Sequence, residues 1–516
     1  MAKSLPARLL VAGYSLLVLA WVFSNPPGAA PDEPSNYIKT VAIGSGQLLG
    51  RPGNYPEATG AAFGLTGPQL ARASLSTRWV QIPFRLVPAG FACNAFRPAL
   101  SAGCLRGGLP QATSTDQPTY AGTYQPFVYL PSGLLTLFAN DARTALILAR
   151  LGIALLCLGL IGLASWLLVR GGRNPLALSG LVVAATPMVV FSSASVSASG
   201  PEICAGLCFF AVVLRIAQPN RIDRWDWSAL AFSGSVLALS RPLGAFWVAL
   251  GGLTLTLVIG PPSVWRRLRS GGIAALVALG IVTLAAGAGF GWEAAFEPHR
   301  SASLSEAVAF LPAALASFSQ TLRGEIGIFG WLDTDLPALA YSAWYILVLS
   351  LVAIAAALGS WRDRLVLLSL VVLSVVVTVV LAAAFVLPLG FGLQGRHVLA
   401  LTVAVPLFAG EILYRRAGRL RRIAAGHWFV AFAALAAAVQ AVGWFANARR
   451  YAVGVNGPVD FISNAQWTPP LGWWPWMAVA GAGCLALLAA GIAALAAPAQ
   501  AAASRSEPQP LTPEAA

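Results

Sequence analysis

The chain has 516 residues, of which 57% are hydrophobic and 10% are charged, and its formal net charge is +14. Soluble proteins carry about 25% charged residues, so this composition excludes an ordinary soluble domain and predicts a protein that crosses the membrane many times. The basic residues, almost all arginine, fall in short clusters between apolar runs. This pattern is typical of the positive-inside rule and does not indicate nucleic-acid binding.

The first apolar run, residues 7–24, follows Lys3 and Arg8 and resembles a signal peptide in outline. It leads into Asn25, Pro26 and Pro27 and not into the small residues of a cleavage site. Its length is close to the roughly 20 residues that a helix needs to span a bilayer. We therefore interpret it as a retained first helix with a cytoplasmic N-terminus.

Eleven further apolar segments follow, which predicts about 12 spanning helices in all. They are residues 142–169, 175–192, 201–217, 227–240, 242–260, 272–292, 338–358, 365–388, 398–414, 425–446 and 472–497. The arginine clusters between them then fall on one side, the cytoplasm: Arg170 and Arg173, Arg215, Arg221 and Arg224, Arg266, Arg267 and Arg269, Arg362 and Arg364, and those of 414–422. The pair of segments around 240–244 also fits one broken or re-entrant helix.

The long segments left on the outer side are residues 25–141, 293–337 and 447–471, with short loops at 192–200 and 389–397. Long loops are translocated largely regardless of charge, so the arginines in the first of them do not change the orientation. We expect these segments to form a small extracytoplasmic cap on one membrane domain, residues 1–498. Residues 499–516 are rich in Ala, Pro and Ser and predict a disordered cytoplasmic tail.

Two cysteines, Cys93 and Cys104, lie in the first outer segment. An oxidising exterior favours a disulfide between them. A zinc site is disfavoured because no histidine lies nearby. The remaining cysteines lie in apolar segments and are expected to pack as small hydrophobic side chains.

Asp32 and Glu33 stand side by side in "PDEPSNYIKT", directly after the first helix. Adjacent side chains point to different sides, so we expect one acid to face a cavity and the other to accept a structural hydrogen bond. A carboxylate held between Pro31 and Pro34 suits a general base or a cation ligand, since both need defined geometry. The alternative is an N-terminal cap of the helix that begins near Pro34.

Other polar groups on the outer face are further candidates, each of which is also compatible with a satisfied ion pair or a solvated loop residue. Seven of them lie in four stretches, "TYQPFVYLP", "SSASVSASGPEIC", "LRGEIGIFGWLDTDLP" and "FGLQGRHV", whereas Tyr37 follows the two acids and Arg241 lies in "SRPLG". The candidates are Tyr37, Tyr129, Glu202, Arg241, Arg323, Asp333, Gln394, Arg396 and His397. Arg396 and Arg241 could neutralise a phosphate, for which the planar guanidinium is well matched.

The sequence contains neither a Walker-type phosphate loop nor a G-x-G-x-x-G turn placed after a strand. This argues against an ATP-driven pump in this chain and against a cytosolic sugar-nucleotide enzyme. The substrates that remain are those that an outward-facing, membrane-embedded site can reach, including lipid-linked ones.

Seven ordered motifs together resemble one bacterial membrane family, domain-of-unknown-function family 2142. They are "PDEPSNYIKTVAIGSGQLLG", "TYQPFVYLP", "SSASVSASGPEI", "LALSRPLG", "IGIFGWLDTDLP", "LQGRHVL" and "ARRYAVGVNG…WTPPLGW". The resemblance covers roughly residues 8–495. That family is itself similar to the GT-C glycosyltransferases, which move a sugar from a polyprenyl-phosphate donor to an acceptor on the outer face. The resemblance implies an all-α, GT-C-like bundle in the bacterial plasma membrane.

The resemblance also implies roles for particular residues. Asp32, with Glu33 as second choice, takes the place of the acid that acts as catalytic base or helps to hold a metal. Arg396, Arg241 and, more weakly, Arg323 take the place of the phosphate-binding basic residues. The family commonly has a histidine where this chain has Asn36, which leaves a divalent cation (Mg or Mn) an open question. After "QGR" a tyrosine is common, where this chain has His397.

The implied reaction is an inverting displacement that transfers the sugar to a cell-envelope glycan, lipid or protein acceptor. Two alternatives remain open at this point: a transporter or flippase of lipid-linked glycans, and a non-catalytic partner in cell-envelope assembly. Against transport, the sequence has no internal repeat of the kind common in transporters, and its charges concentrate on the outer face.

Overall fold

The structure is a computed structural model that describes residues 5–88, 90, 93–106, 109, 114–171, 174–218, 222–296, 302–419 and 422–503. Three of the predicted cytoplasmic arginines, Arg173, Arg221 and Arg421, lie outside these residues, as do residues 504–516 of the predicted tail. The last described helix continues to Ala503, five residues into the segment predicted as a tail.

The described chain is mostly helical. Its α-helices are α1 (Leu5–Ser24), α2 (Glu33–Gly44), α3 (Glu57–Ala62), α4 (Gly67–Ser76), α5 (Leu130–Thr136), α6 (Ala142–Val169), α7 (Ser179–Ala184), α8 (Pro187–Ser193), α9 (Ser199–Ile216), α10 (Arg224–Ala238), α11 (Gly244–Ile259), α12 (Pro261–Phe296), α13 (Leu304–Gly327), α14 (Ala338–Leu358), α15 (Trp361–Leu381), α16 (Leu399–Thr402), α17 (Ala404–Arg415), α18 (Arg422–Val453) and α19 (Trp473–Ala503). The strands are β1 (Arg51–Pro52), β2 (Arg78–Gln81), β3 (Asp116–Thr119), β4 (Ile328–Phe329) and β5 (Thr334–Asp335).

All twelve predicted apolar segments are helical, but fewer than about 12 of them qualify as spans. Among the described residues eight helices are long and apolar enough to cross a membrane: α1, α6, α9, α12, α14, α15 with its continuation to Leu389, α18 and α19. A ninth results if the pair Pro175–Ala184 and Pro187–Ser193, bent by 74°, is one span. This confirms the predicted polytopic all-α class and corrects the helix count.

The count differs because a hydropathy window near 19 residues averages over local breaks. Helices α10 and α11 have 15 and 16 residues and are separated by a turn at residues 239–243. The predicted segment 398–414 is divided into α16 and α17. In α12 the non-helical backbone of Gly272 (φ 53°) breaks the helix at the point where the predicted segment begins.

The predicted outer segment 293–337 contains a regular helix, which the sequence prediction missed. Helix α13 has 24 residues, and a capping box between Ser303 and Glu306 fixes its N-terminus. Its apolar residues Leu304, Val308 and Leu315 are exposed, whereas Ser317 and Gln320 line a cavity described below. Its continuous apolar run, residues 307–316, has ten residues and includes Pro312, so it is shorter than the roughly 20 residues by which a spanning helix is recognised.

The described residues between 25 and 141 form a small structured unit between α1 and α6. Strands β1, β2 and β3 pair antiparallel, with Arg51 opposite Trp79 and Arg78 opposite Thr119. Cys93 and Cys104 form a disulfide with a Cα–Cα distance of 6.5 Å. This unit meets residues 302–337, where Trp331 Nε1 donates to Gly28 O at 2.8 Å. We call this end of the helix bundle the loop face.

Helix α1 fixes the start of this unit. It packs along α6 and α19, and its buried Trp21 meets the rings of Phe191 and Phe329 edge-on at 5.5 and 5.0 Å. Aromatic contacts of this geometry add to the stability gained from burial. The chain that leaves α1 toward Asp32 therefore starts from a rigid position.

Candidate active site

A cavity of about 510 Å³ opens at the loop face and contains residues from distant parts of the chain. Its polar lining includes Asp32, Arg72, Arg241, Gln394 and Arg396. An apolar wall stands beside these groups, formed by Phe385, Val386, Leu389, Phe391 and Leu393. This wall follows α15, where the helix changes to a π-helical turn (Ala382–Val386) and a 3₁₀ turn (Leu387–Leu389). The cavity is therefore both cationic and apolar.

Asp32 is the only carboxylate that lines this cavity among the described residues. Arg396 Nη2 donates to its Oδ2 at 2.8 Å, and Tyr120 Oη donates to its Oδ1 at 2.5 Å. The Asp32 side chain keeps 33% of its surface exposed, whereas the Arg396 side chain keeps 4%. The carboxylate is thus held on two sides and accessible on a third.

A second pair of side chains fixes the backbone of Asp32. The residue adopts a left-handed conformation, with φ 69° and ψ −5°. Asn36 Nδ2 donates to the Asp32 carbonyl oxygen at 2.9 Å, and Tyr129 Oη donates to Asn36 Oδ1 at 2.5 Å. Tyr129 and Asn36 are buried, so both act on the site through the position of Asp32.

Glu33 points away from the cavity and is fully buried. Arg150 of α6 binds it with two parallel hydrogen bonds, from Nε to Oε1 at 2.8 Å and from Nη2 to Oε2 at 2.6 Å. The backbone N–H of Val196 also donates to Oε1. A bidentate, buried pair of this kind is a structural link, here between the start of α2 and α6.

Arg241 reaches the cavity from the turn between α10 and α11. Its Nη1 lies 3.3 Å from Ser199 Oγ, to which it donates, and 4.0 Å from Glu202 Oε2. Glu202 is buried and accepts from Trp247 Nε1 at 2.9 Å. Glu202 therefore positions Arg241 from behind and does not itself line the cavity.

Gln394 and His397 flank Arg396 and both line the cavity. Gln394 Oε1 is buried and has no hydrogen-bond partner among the described residues, so it is available to a ligand. Burial, and after it the positive charges of Arg241 and Arg396, lower the pKa of His397 well below its usual value. His397 is consequently a neutral group at physiological pH.

Three other predicted site residues lie elsewhere. Tyr37 is buried and donates to Leu86 O at 2.9 Å. Arg323 is exposed and pairs with Asp335 at 2.9 Å. Asp333 accepts from Arg450 Nη2 at 3.0 Å. Each has a structural partner, and none lines the cavity.

The sequence prediction did not select Tyr120 and Arg72, which line the cavity, or Arg150, which binds Glu33 outside it. Tyr120 contacts Asp32 directly, and burial together with the Asp32 carboxylate raises the pKa of its phenol well above its usual value. The sequence feature that could have indicated Tyr120 is its position three residues before the "TYQPFVYLP" motif. Arg72 comes from α4 and had no distinguishing pattern around it. Arg150 was detectable as a lone charge within an apolar segment, where a charge needs a partner.

The donor set of the site does not suit a divalent cation. Asp32 contributes the one carboxylate, and its two oxygens already accept from Arg396 and Tyr120. Across the described residues no group of three or more His, Cys, Asp and Glu side chains could hold a metal ion. Magnesium and manganese require several oxygen ligands, so we derive no step through a metal.

The fold and the cavity define a multi-pass helical membrane protein with one carboxylate set among arginines at the loop face. Residues 16–405 match the model of the family described as "Predicted membrane protein (DUF2142)". The chain belongs to this family, as the ordered motifs predicted.

Comparisons with individual proteins give less information than the family match. No curated protein sequence matches the chain. Among solved structures, ArnT from Cupriavidus metallidurans bound to undecaprenyl phosphate has 18% identity and a TM-score of 0.40, over 97% of this chain and 80% of that one. ArnT in the apo state has 19% identity and a TM-score of 0.37, over 89% of this chain and 82% of that one. Similarity at this level says nothing of the activity of this chain.

Proposed function

We propose that this protein is a membrane glycosyltransferase that takes a sugar from a polyprenyl-phosphate donor. The observation that carries the proposal is the composition of one cavity, in which a partly exposed carboxylate, two buried or half-buried arginines and an apolar wall meet. Arginine matches phosphate geometry, and the apolar wall suits the first isoprene units of a lipid. The ordered motifs resemble family 2142, and the similarity of that family to the GT-C glycosyltransferases supports the same reaction.

In this proposal Asp32 is the general base. Each of its oxygens accepts one hydrogen bond and keeps a further lone pair. Asp32 accepts the proton of the acceptor hydroxyl while the acceptor oxygen forms a bond to the anomeric carbon. The bond from that carbon to the phosphate oxygen breaks, and its electron pair leaves with the polyprenyl phosphate. Attack opposite the leaving group inverts the anomeric centre.

In this proposal Arg396 interacts with both the general base and the leaving phosphate. It donates to Asp32 in the ligand-free site, and a donor phosphate competes for the same guanidinium. As the phosphate leaves, its negative charge grows, so an arginine stabilises the transition state more than the ground state. Gln394 and Arg241 line the same cavity and are proposed to hold the phosphate or the sugar.

The proposal includes a location and an acceptor class. We infer an outward-facing site in a bacterial plasma membrane, with the N-terminus in the cytoplasm, because the arginine clusters follow the positive-inside rule in that orientation. A lipid-linked donor at that surface would serve a cell-envelope glycan, lipid or protein acceptor.

The test is a reconstituted transfer assay with polyprenyl-phosphate sugars at equal amounts of folded protein. Asp32→Asn should lower kcat by about 10²–10⁴-fold, the usual contribution of general base catalysis. Arg396→Ala should lower kcat by about 10²–10³-fold, as the loss of one transition-state donor does. Arg323→Ala is the matched arginine control, because its pair with Asp335 is exposed and lies outside the cavity.

Undiminished transfer by Asp32→Asn would refute the base assignment. Movement of intact lipid-linked sugar across the bilayer without transfer would favour a flippase. Binding of an envelope protein with neither activity would favour the assembly role.

A further inference from the structure

Arg72 differs from the other arginines of the cavity in having no acidic partner. Arg396 pairs with Asp32 at 2.8 Å, and Arg241 lies 4.0 Å from Glu202. The Arg72 side chain makes no hydrogen bond, ion pair or ring contact with any residue in the part of the chain that the structure describes. It is the one guanidinium lining the cavity whose charge the described protein does not compensate.

The position of Arg72 is nevertheless well defined. Helix α4 begins with a capping box between Thr66 and Gln69, and Gln69 Nε2 donates to Gly390 O at 2.6 Å, which ties the helix to the turn after α15. Arg72, Ala73 and Ser76 all line the cavity from one side of α4. Helical spacing brings these positions to the same face, so this face is aimed into the cavity.

A second contact holds the segment before α4. Phe63 stacks on Trp331 with ring centroids 5.3 Å apart and an angle of 17° between the planes. Both rings line the cavity. Arg72 therefore enters the cavity on a helix anchored to residues 302–337 and to the turn at Gly390, and not on a free loop.

We propose that Arg72 is the ground-state binding residue for the phosphate of the lipid-linked substrate. A sugar phosphodiester carries one negative charge, and Arg72 supplies one uncompensated positive charge. Arg396 is occupied by Asp32 until the leaving phosphate gains its second charge. The identity of the ligand rests on the proposed function. The two arginines then have different roles: Arg72 contributes to donor binding, and Arg396 contributes to the chemical step.

The first experiment measures binding and needs no turnover. A polyprenyl methyl phosphodiester, which carries the single negative charge of the donor, is titrated into detergent-solubilised wild type, Arg72→Ala, Arg72→Lys and Arg323→Ala, with the matching uncharged polyprenol as ligand control. Loss of a charge-assisted hydrogen bond should weaken phosphate binding by about 10–100-fold in Arg72→Ala. Arg72→Lys keeps the charge and should recover most of the affinity. Arg323→Ala and all polyprenol titrations should match wild type.

The second experiment separates binding from chemistry in the transfer assay. Arg72→Ala should raise KM for the donor by about 10-fold or more and leave kcat within about threefold, whereas Arg396→Ala should lower kcat. Unchanged phosphate affinity in Arg72→Ala, an equal loss in Arg323→Ala, or a fall in kcat at constant KM would overturn the proposal. If wild type binds the phosphate through Arg72 but transfers no sugar, the binding site stands and the glycosyltransferase proposal fails.

Discussion

Replacing Glu33 tests whether the two adjacent acids have different tasks. Glu33 is fully buried and accepts three hydrogen bonds, two from Arg150 and one from the N–H of Val196. Glu33→Ala leaves the Arg150 guanidinium buried without a counter-charge. Breaking one side of a buried pair costs about 3–5 kcal/mol of the free energy of unfolding. Glu33→Gln keeps one carbonyl acceptor, so we expect a smaller loss of about 2–3 kcal/mol.

The partner substitution should cost more than the loss of the ion pair alone. Arg150 also donates to the carbonyl oxygens of Val22, Asn25 and Pro26. Arg150→Met would leave the carbonyl oxygens of Val22 and Asn25 unpaired, at about 1–3 kcal/mol each where they stay buried. The Pro26 oxygen would still accept from the N–H of Ala29. The double variant Glu33→Leu with Arg150→Met removes both charges, but the backbone carbonyl oxygens that Arg150 bound still lose their hydrogen bonds. It should therefore stay less stable than wild type, unlike pairs whose apolar replacement is neutral.

Thermal and chemical unfolding in detergent measure these differences, with Asp32→Asn as the matched control. Asp32 is one third exposed although its partner Arg396 is buried, so its amide variant should lose less stability than Glu33→Gln, whose carboxylate is fully buried. Wild-type stability of Glu33→Gln together with a loss of transfer as large as that of Asp32→Asn would refute the reasoning and make Glu33 the base.

Three further predictions follow from the same geometry. Asn36→Ala removes the hydrogen bonds that join Tyr129 to the Asp32 carbonyl and should lower both kcat, by about 10-fold or more, and stability, by about 1–3 kcal/mol; transfer and unfolding assays check this, and full activity would contradict it. Replacing Cys93 and Cys104 by serine should cost about 3 kcal/mol, and reductant should bring the wild-type melting temperature to that of the variant; no effect of reductant on wild type would oppose this. Burial and the neighbouring arginines lower the folded-state pKa of His397, so the unfolded chain binds the proton more readily. Stability should therefore fall as pH drops below about 6.5. Thermal melts at pH 5.5 and 7.5 check this, and His397→Gln should reduce the loss of stability at the lower pH.

Much of the fold was predictable because spanning helices are read from composition. Each of the twelve apolar segments is helical, and the disulfide between Cys93 and Cys104 is formed. The spans were overcounted where Arg241 and Pro242 interrupt an apolar stretch. Hydropathy averaged over a window hides one charged and one rigid residue. Helix α13 was missed because its apolar run, residues 307–316, has ten residues and includes Pro312, which is too short to be recognised as a span.

The site was only partly predictable, because partner choice depends on distant residues. From the sequence alone, Asp32 and Glu33 differ little as candidates for the catalytic base. What separates them is Arg150, which is 117 residues from Glu33, and Tyr120, which is 88 residues from Asp32. Arg396 and Arg241 were found through motifs, whereas Arg72 lies in a short polar helix with nothing local to mark it.

The left-handed backbone at Asp32 explains why the shorter acid stands first in the pair. Among residues with a Cβ, Asp and Asn adopt positive φ most readily, and longer side chains do so at a cost. Exchanging the two acids would therefore strain the chain even though the charges are conserved, whereas Asn fits the same backbone. If Asp32 is the base, Asp32→Asn gives an inactive protein with an undistorted cavity, suited to capturing donor and acceptor together for structure determination.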